Sequence, residues 1–272
     1  MENRPNNLEG PESQNDRTDT SIIASPDPES TTGASGELPP VYRESRSVKL
    51  DLNTVRDNRC MCLFPNSVEI EYFKVLRTQV RQKMRERGWN SLMVTSALPG
   101  EGKTLTAVNL ALTFAREYHQ TVLLVDCDLR RQQVSRCLGI SSAIGLIDYL
   151  LDDRPLKDLI VWPGIDKLTL ISGGRNVLDT TEILNSNRMR ELVQEMKDRY
   201  DDRCILFDLP PVLSCADAIS FAPQVDGVLF VVETGKTAID DVQKAVDLLP
   251  REKILGFVMN RSPAGPIAYG NG

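Results

Sequence analysis

Residues 97–104 read ALPGEGKT, with the apolar run SLMVT (91–95) before them and LTAVNLALTF (105–114) after. An apolar run with β-branched residues predicts a strand, and the second stretch has the spacing of a helix. A tight glycine loop between strand and helix is the arrangement that holds phosphate. Gly100 and Gly102 let backbone N–H groups turn inward and approach an anion closely. A helix starting at Lys103 adds its partial positive end. The Lys103 ammonium reaches β- and γ-phosphates, and the Thr104 hydroxyl is a ligand for Mg²⁺. The expected nucleotide contacts are therefore Pro99, Gly100, Glu101, Gly102, Lys103, Thr104 and Leu105. One position departs from G-x-x-x-x-G-K-[ST]: Ala97 stands in place of the first glycine.

Two further strands end in acids. VLLVDCDLRR (122–131) is an apolar run closed by Asp126, with Asp128 two residues on and Arg130 after it. CILFDLPP (204–211) ends in Asp208, and Pro210 and Pro211 stop the strand. In a parallel sheet the carboxyl ends of the strands line the ligand crevice. Carboxylates there hold Mg²⁺ directly or through water, and one of them can take a proton from an incoming hydroxyl. Asp126, Asp128 and Asp208 are the candidate carboxylates, beside Thr104 and Lys103.

Outward from these three pieces, more apolar runs lie at 168–172, 226–232 and 254–259, and helical patterns at 68–87, 188–199, 214–222 and 237–249. Runs apolar on both faces and separated by helices predict a doubly wound, mainly parallel sheet with helices on both sides, an α/β fold of the P-loop NTPase type. Residues 68–87 place Tyr72, Phe73, Leu76 and Val80 on one helical face, with Gly88 as the stop. Residues 1–63 are rich in Pro, Ser, Asn, Gly and acids and read as a disordered tail. The folded domain is expected over 64–262 and a flexible C-terminal tail over 263–272.

Net charge is −6 in 272 residues, which argues against nucleic acid as a partner. The acidic, proline-containing N-terminus lacks the pattern of a signal peptide, and no apolar run approaches a membrane span. A cytoplasmic location with reduced thiols is the expectation. Cys60 and Cys62 have neither the spacing nor the partner pair of a zinc site.

ALPGEGKT, VLLVDCDLR and ILFDLPP together resemble the Walker A, A′ and B boxes of the bacterial tyrosine kinases, the autokinases of polysaccharide export systems, over roughly residues 66–272. The likeness is nearest to the branch found in exopolysaccharide and exosortase loci, and the fold it implies is that of the MinD/ParA-like superfamily. Asp126, Asp128 and Arg130 match the D-x-D-x-R form of the A′ box, and Arg130 joins the nucleotide contacts by that resemblance. Asn260 matches an asparagine that contacts adenine. Glu71, Lys74 and Arg77 overlay an E-x-x-R-x-x-R motif that builds rings, with Lys74 in place of the first arginine. Lysine lacks the bidentate fork of arginine.

The resemblance implies ATP and Mg²⁺ as cofactors, with Asp128, Asp208 and Thr104 as the metal set and Lys103, Asp126, Asp128 and Asp208 as the catalytic set. It implies Asp126 as the group that activates a tyrosine hydroxyl, and transfer of the γ-phosphate to a tyrosine near the C-terminus of a neighbouring subunit. It further implies a membrane-bound chain-length regulator, a polysaccharide co-polymerase, as activator, with the kinase peripheral to the inner membrane through that partner. The family's tail carries a tyrosine cluster, whereas here Tyr269 is the one tail tyrosine in SPAGPIAYGNG. Two other readings stay open: an ATP-binding scaffold of the polysaccharide complex without phosphotransfer, and a MinD/ParA-like positioning ATPase. The latter carries a signature lysine where this loop has Leu98.

Overall fold

The computed structural model describes residues 46–117, 120–141, 143–200 and 202–262. Tyr42, His119 and Tyr269 lie outside the described residues.

Eight strands form one sheet: β1 (Arg46–Ser47), β2 (Ser91–Ser96), β3 (Thr121–Asp126), β4 (Ile160–Trp162), β5 (Leu168–Ile171), β6 (Arg203–Asp208), β7 (Gly227–Glu233) and β8 (Ile254–Asn260). Their spatial order is β1-β4-β5-β3-β6-β2-β7-β8. Every pairing is parallel except β4 with β5. Only residues 163–167 join those two strands. That is too short for a crossover, so the chain returns as a hairpin. Strands β2 and β7 are buried along their whole length, because helices cover both faces. One core layer contains Met93, Phe207, Phe221 and Phe230, and the other contains Val94, Leu110, Phe114 and Leu206.

Helix α1 spans Leu52–Asp57, α2 Glu69–Arg87, α3 Lys103–Phe114 and α4 Gln133–Cys137. Helix α2 stops at Gly88, whose φ of +66° is the left-handed conformation in which glycine ends helices. Its inward face is Ile70, Val80 and Met84, with Phe73 and Leu76 packed beside them. Tyr72 is exposed instead of joining that face. It leads Phe73 by one position, which turns it about 100° away from the stripe. Helix α3 is buried at every position except Leu105, because it runs across the sheet beneath α2 and the turn Met61–Leu63.

The domain begins earlier than the composition predicts. Residues 46–63, expected in the disordered tail, are folded onto the sheet. Strand β1 pairs with β4, and α1 is capped by Asp51, whose carboxylate accepts the Asn53 N–H at 2.9 Å. Val55, Cys60 and Cys62 are wholly buried in the α2–α3 layer. Asn109 of α3 stitches the segment down. Its Oδ1 accepts the Cys62 N–H at 2.9 Å and its Nδ2 donates to the Arg59 carbonyl at 3.1 Å. Three small apolar residues at irregular spacing leave no period to read, so the polar tail beside them dominates the composition. Among the described residues, no helix is long and apolar enough to cross a membrane.

Candidate active site

The three acid- and glycine-bearing segments meet at the carboxyl end of the sheet's centre, because β3, β6 and β2 are adjacent. The register pairs Asp126 with Asp208, and Val94 with Asp208. The loop after β2 therefore lies beside both acidic strand ends. Gly100 and Gly102 have φ values of +88° and +94°, and Gly102 leads directly into α3. A Cβ on Gly102 would stand 2.1 Å from Nδ2 of Asn260. Asn260, at the end of β8, donates from that nitrogen to the Glu101 carbonyl at 2.7 Å. The last strand thus closes on the phosphate loop.

Lys103 is buried, with Nζ 2.8 Å from Asp128 Oδ2, 3.4 Å from both oxygens of Asp208 and 3.1 Å from the Thr104 hydroxyl. Thr104 in turn donates to Asp208 Oδ2 at 2.6 Å. Burial alone would lower the lysine pKa, but the charges of Asp208 and Asp128 reverse this and hold the ammonium above its ordinary value. Burial raises the Asp208 carboxyl, and Lys103 opposes that rise. Thr104, Asp128 and Asp208 supply the hydroxyl and carboxylate oxygens that suit Mg²⁺. The positive-φ glycine turn and the start of α3 supply the amide cradle that suits a polyphosphate. The residues present therefore fit a magnesium-bound nucleoside triphosphate.

Asp126 is wholly buried. Its Oδ1 accepts the Asp128 N–H at 3.2 Å, and its Oδ2 accepts the Val134 N–H at 3.0 Å in the first turn of α4. Burial pushes this carboxyl well above the ordinary carboxylate range, and the Asp208 charge pushes the same way. A raised pKa makes the ionised carboxylate a stronger proton acceptor than an exposed one. Both of its oxygens nevertheless serve the backbone here.

Several expected residues sit differently from a simple contact list. Pro99 and Gly100 are exposed at the loop tip, and Leu105 is half-buried. Glu101 points away from the cradle. Its carboxylate accepts the Leu98 N–H at 2.5 Å, the Glu233 N–H at 3.4 Å and the Thr237 hydroxyl, bracing the loop from behind. Arg130 is about half exposed, and its Nε lies 3.3 Å from Asp217 Oδ2. On α2, Lys74 pairs with Glu71 at 2.6 Å, both exposed to solvent. Arg77 is instead turned inward, 2.8 Å from Glu117 and donating to the Thr113 carbonyl at 3.1 Å. Asp217 and Thr237 carry no motif of their own. The signal for Asp217 was an acid inside the otherwise apolar DAISF stretch.

Residues 92–252 match the AAA domain family. Over 220 residues the chain is 32% identical to the tyrosine-protein kinase YwqD of Bacillus subtilis (strain 168), covering 80% of this chain and 90% of that protein. At 30% identity over 213 residues it spans only 28% of the longer EpsB protein of Ralstonia nicotianae. Among solved structures, the kinase domain of Escherichia coli tyrosine kinase ETK superposes with a TM-score of 0.68 at 29% identity, covering 78% of this chain and 84% of that one.

Proposed function

This chain belongs to the bacterial tyrosine-protein kinase family, and from that premise we propose that it transfers the ATP γ-phosphate to tyrosine and so regulates exopolysaccharide polymerisation and export. The observation that carries the site assignment is the convergence of Lys103, Thr104, Asp128 and Asp208 within 2.6–3.4 Å at the mouth of the glycine loop. Lys103 exchanges its carboxylate partners for phosphate oxygens when nucleotide enters. Thr104, Asp128 and Asp208 hold Mg²⁺, which supplies neutralisation of the phosphate charge. Asn260 is the proposed adenine contact. Asp126 takes the tyrosine proton as the tyrosine oxygen bonds to phosphorus and ADP leaves. To do so it releases one of its two backbone N–H donors.

Tyr269 is the proposed acceptor, presented to the site of a neighbouring copy. Glu71, Lys74 and Arg77 are the proposed contacts of a ring. With Arg77 held by Glu117, ring formation through this helix rests on Glu71 and Lys74, or on release of Arg77. A membrane-bound chain-length regulator is the proposed activator, and it would keep the kinase at the membrane.

Intact-mass and phosphosite analysis after incubation with Mg·ATP tests the reading, with and without the cytoplasmic segment of such a regulator. Phosphate on Tyr269 is the expected result. Phosphate on another tyrosine keeps the kinase and moves the acceptor. ATP bound with no phosphate transferred in either condition overturns the kinase reading in favour of a nucleotide-gated scaffold.

A further inference from the structure

Arg130 stands two residues beyond Asp128 on the loop that lines the crevice. Its Nε alone is engaged, 3.3 Å from Asp217 Oδ2. Its two terminal nitrogens make no hydrogen bond to any described residue, and its side chain is 49% exposed. Asp217 is the opposite case: it is fully buried, at the start of the helix Asp217–Phe221 that follows the Asp208 strand. Its Oδ2 also accepts the Thr180 hydroxyl at 2.8 Å, and its Oδ1 accepts the Thr181 hydroxyl. One buried carboxylate therefore ties three segments together: the loop after β3, the start of the helix Thr180–Leu184, and the segment after Pro211. A guanidinium held by Nε keeps a planar fork of two donors pointing the other way, the geometry that takes two oxygens of one phosphate.

We propose that Asp217 is a positioning residue, which fixes Arg130 so that its terminal nitrogens clamp the γ-phosphate of bound nucleotide. This rests on the nucleotide-binding reading of the site. Thr180 and Thr181 hold Asp217 in turn, so that the fork is set by the fold and not by the loop alone. Nothing is transferred to Asp217, and its charge is balanced by Arg130.

The test is calorimetric affinity of the full chain for a non-hydrolysable Mg·ATP analogue and for Mg·ADP, expressed as a ratio. Asp217→Asn is expected to lower the preference for the triphosphate about ten-fold, the worth of a charge-assisted contact. Arg130→Ala is expected to lower it by the same factor, and the double variant no further. Arg130→Lys keeps a cation on the buried Asp217, so it tests the fork without endangering the fold. It too is expected to lose the preference. Absolute affinity for Mg·ADP is expected to stay within about two-fold in all of them, which a general loosening of the site would not allow. A wild-type preference that survives in Asp217→Asn, or in Arg130→Lys should Asp217→Asn not fold, overturns the positioning role. Additive losses in the double variant also overturn it. Wild-type chain that binds neither nucleotide overturns the nucleotide reading itself, a result distinct from these.

Discussion

Replacing Lys103 by Met tests the electrostatics of the site before any nucleotide is added. The lysine is buried beside Asp128 at 2.8 Å and Asp208 at 3.4 Å, with Asp126 behind them. Methionine fills a similar volume but leaves the acids without their cation. Removing one partner from a buried ion pair costs about 3–5 kcal/mol. For a domain of this size each kcal/mol lowers Tm by roughly 2–4 °C, so a drop of roughly 6–20 °C is expected at pH 8. The acids can relieve the repulsion by taking up protons. Their folded-state pKa values, already raised at Asp126 and Asp208, rise further in the variant. Groups with raised folded pKa stabilise below the ordinary carboxylate range and lose that contribution as pH rises through the raised value. The gap between variant and wild type should therefore shrink toward pH 5.5. Scanning calorimetry without nucleotide or magnesium at both pH values measures it. A variant melting within about 2 °C of wild type at pH 8, or a gap that widens in acid, would refute the reasoning.

Gly102→Ala places a Cβ 2.1 Å from the Asn260 side chain at a φ of +94°. It should cost about 1–2 kcal/mol of stability and weaken nucleotide binding in a titration, and an unchanged affinity would mean that the loop is not the cradle. Asp126→Asn should retain nucleotide binding but lower autophosphorylation about 10²–10⁴-fold, as a phosphotyrosine time course would show. It should also flatten the decline of Tm with rising pH that the raised Asp126 carboxyl gives the wild type. A chain starting at residue 64 should melt well below one starting at residue 45. It loses buried Val55, worth about 1.5–3 kcal/mol, and leaves the buried Asn109 Oδ1 without its Cys62 N–H donor, at about 1–3 kcal/mol. Equal melting of the two would restore the later domain boundary.

The central sheet was legible because β2, β3, β5, β6 and β7 are buried on both faces and so appear as apolar runs. The phosphate loop, Asp128 and Asp208 were legible because strand–glycine–helix order and strand-terminal acids admit few other uses. Strands of two and three residues were not legible. Arg46–Ser47 is exposed, and Ile160–Trp162 is too short to show a period. Helices of five residues, such as Gln133–Cys137 and Thr180–Leu184, show barely more than one turn of pattern. Side-chain direction was the other limit. Nothing in GEGKT says that Glu101 turns its back on the cradle toward Leu98 and Thr237. Nothing in E-x-x-K-x-x-R says that Arg77 is spent on Glu117. Both depend on neighbours more than a hundred or some forty residues away along the chain.

The register that sets Asp126 against Asp208 has an implication for how such a chain can change over generations. The spacing of those two acids follows from the distance between adjacent strands, about 4.8 Å, which no side-chain substitution alters. Their repulsion comes with the sheet, and Lys103 answers it even in the absence of any ligand. A lineage that abandons catalysis is thus not free to discard these residues in any order. Losing one of the acids leaves Lys103 with a carboxylate still beside it, whereas losing the lysine leaves all the acids without a cation. Descendants that have decayed to binding or to scaffolding should keep the lysine longest, and its presence alone is poor evidence that phosphate is still being moved.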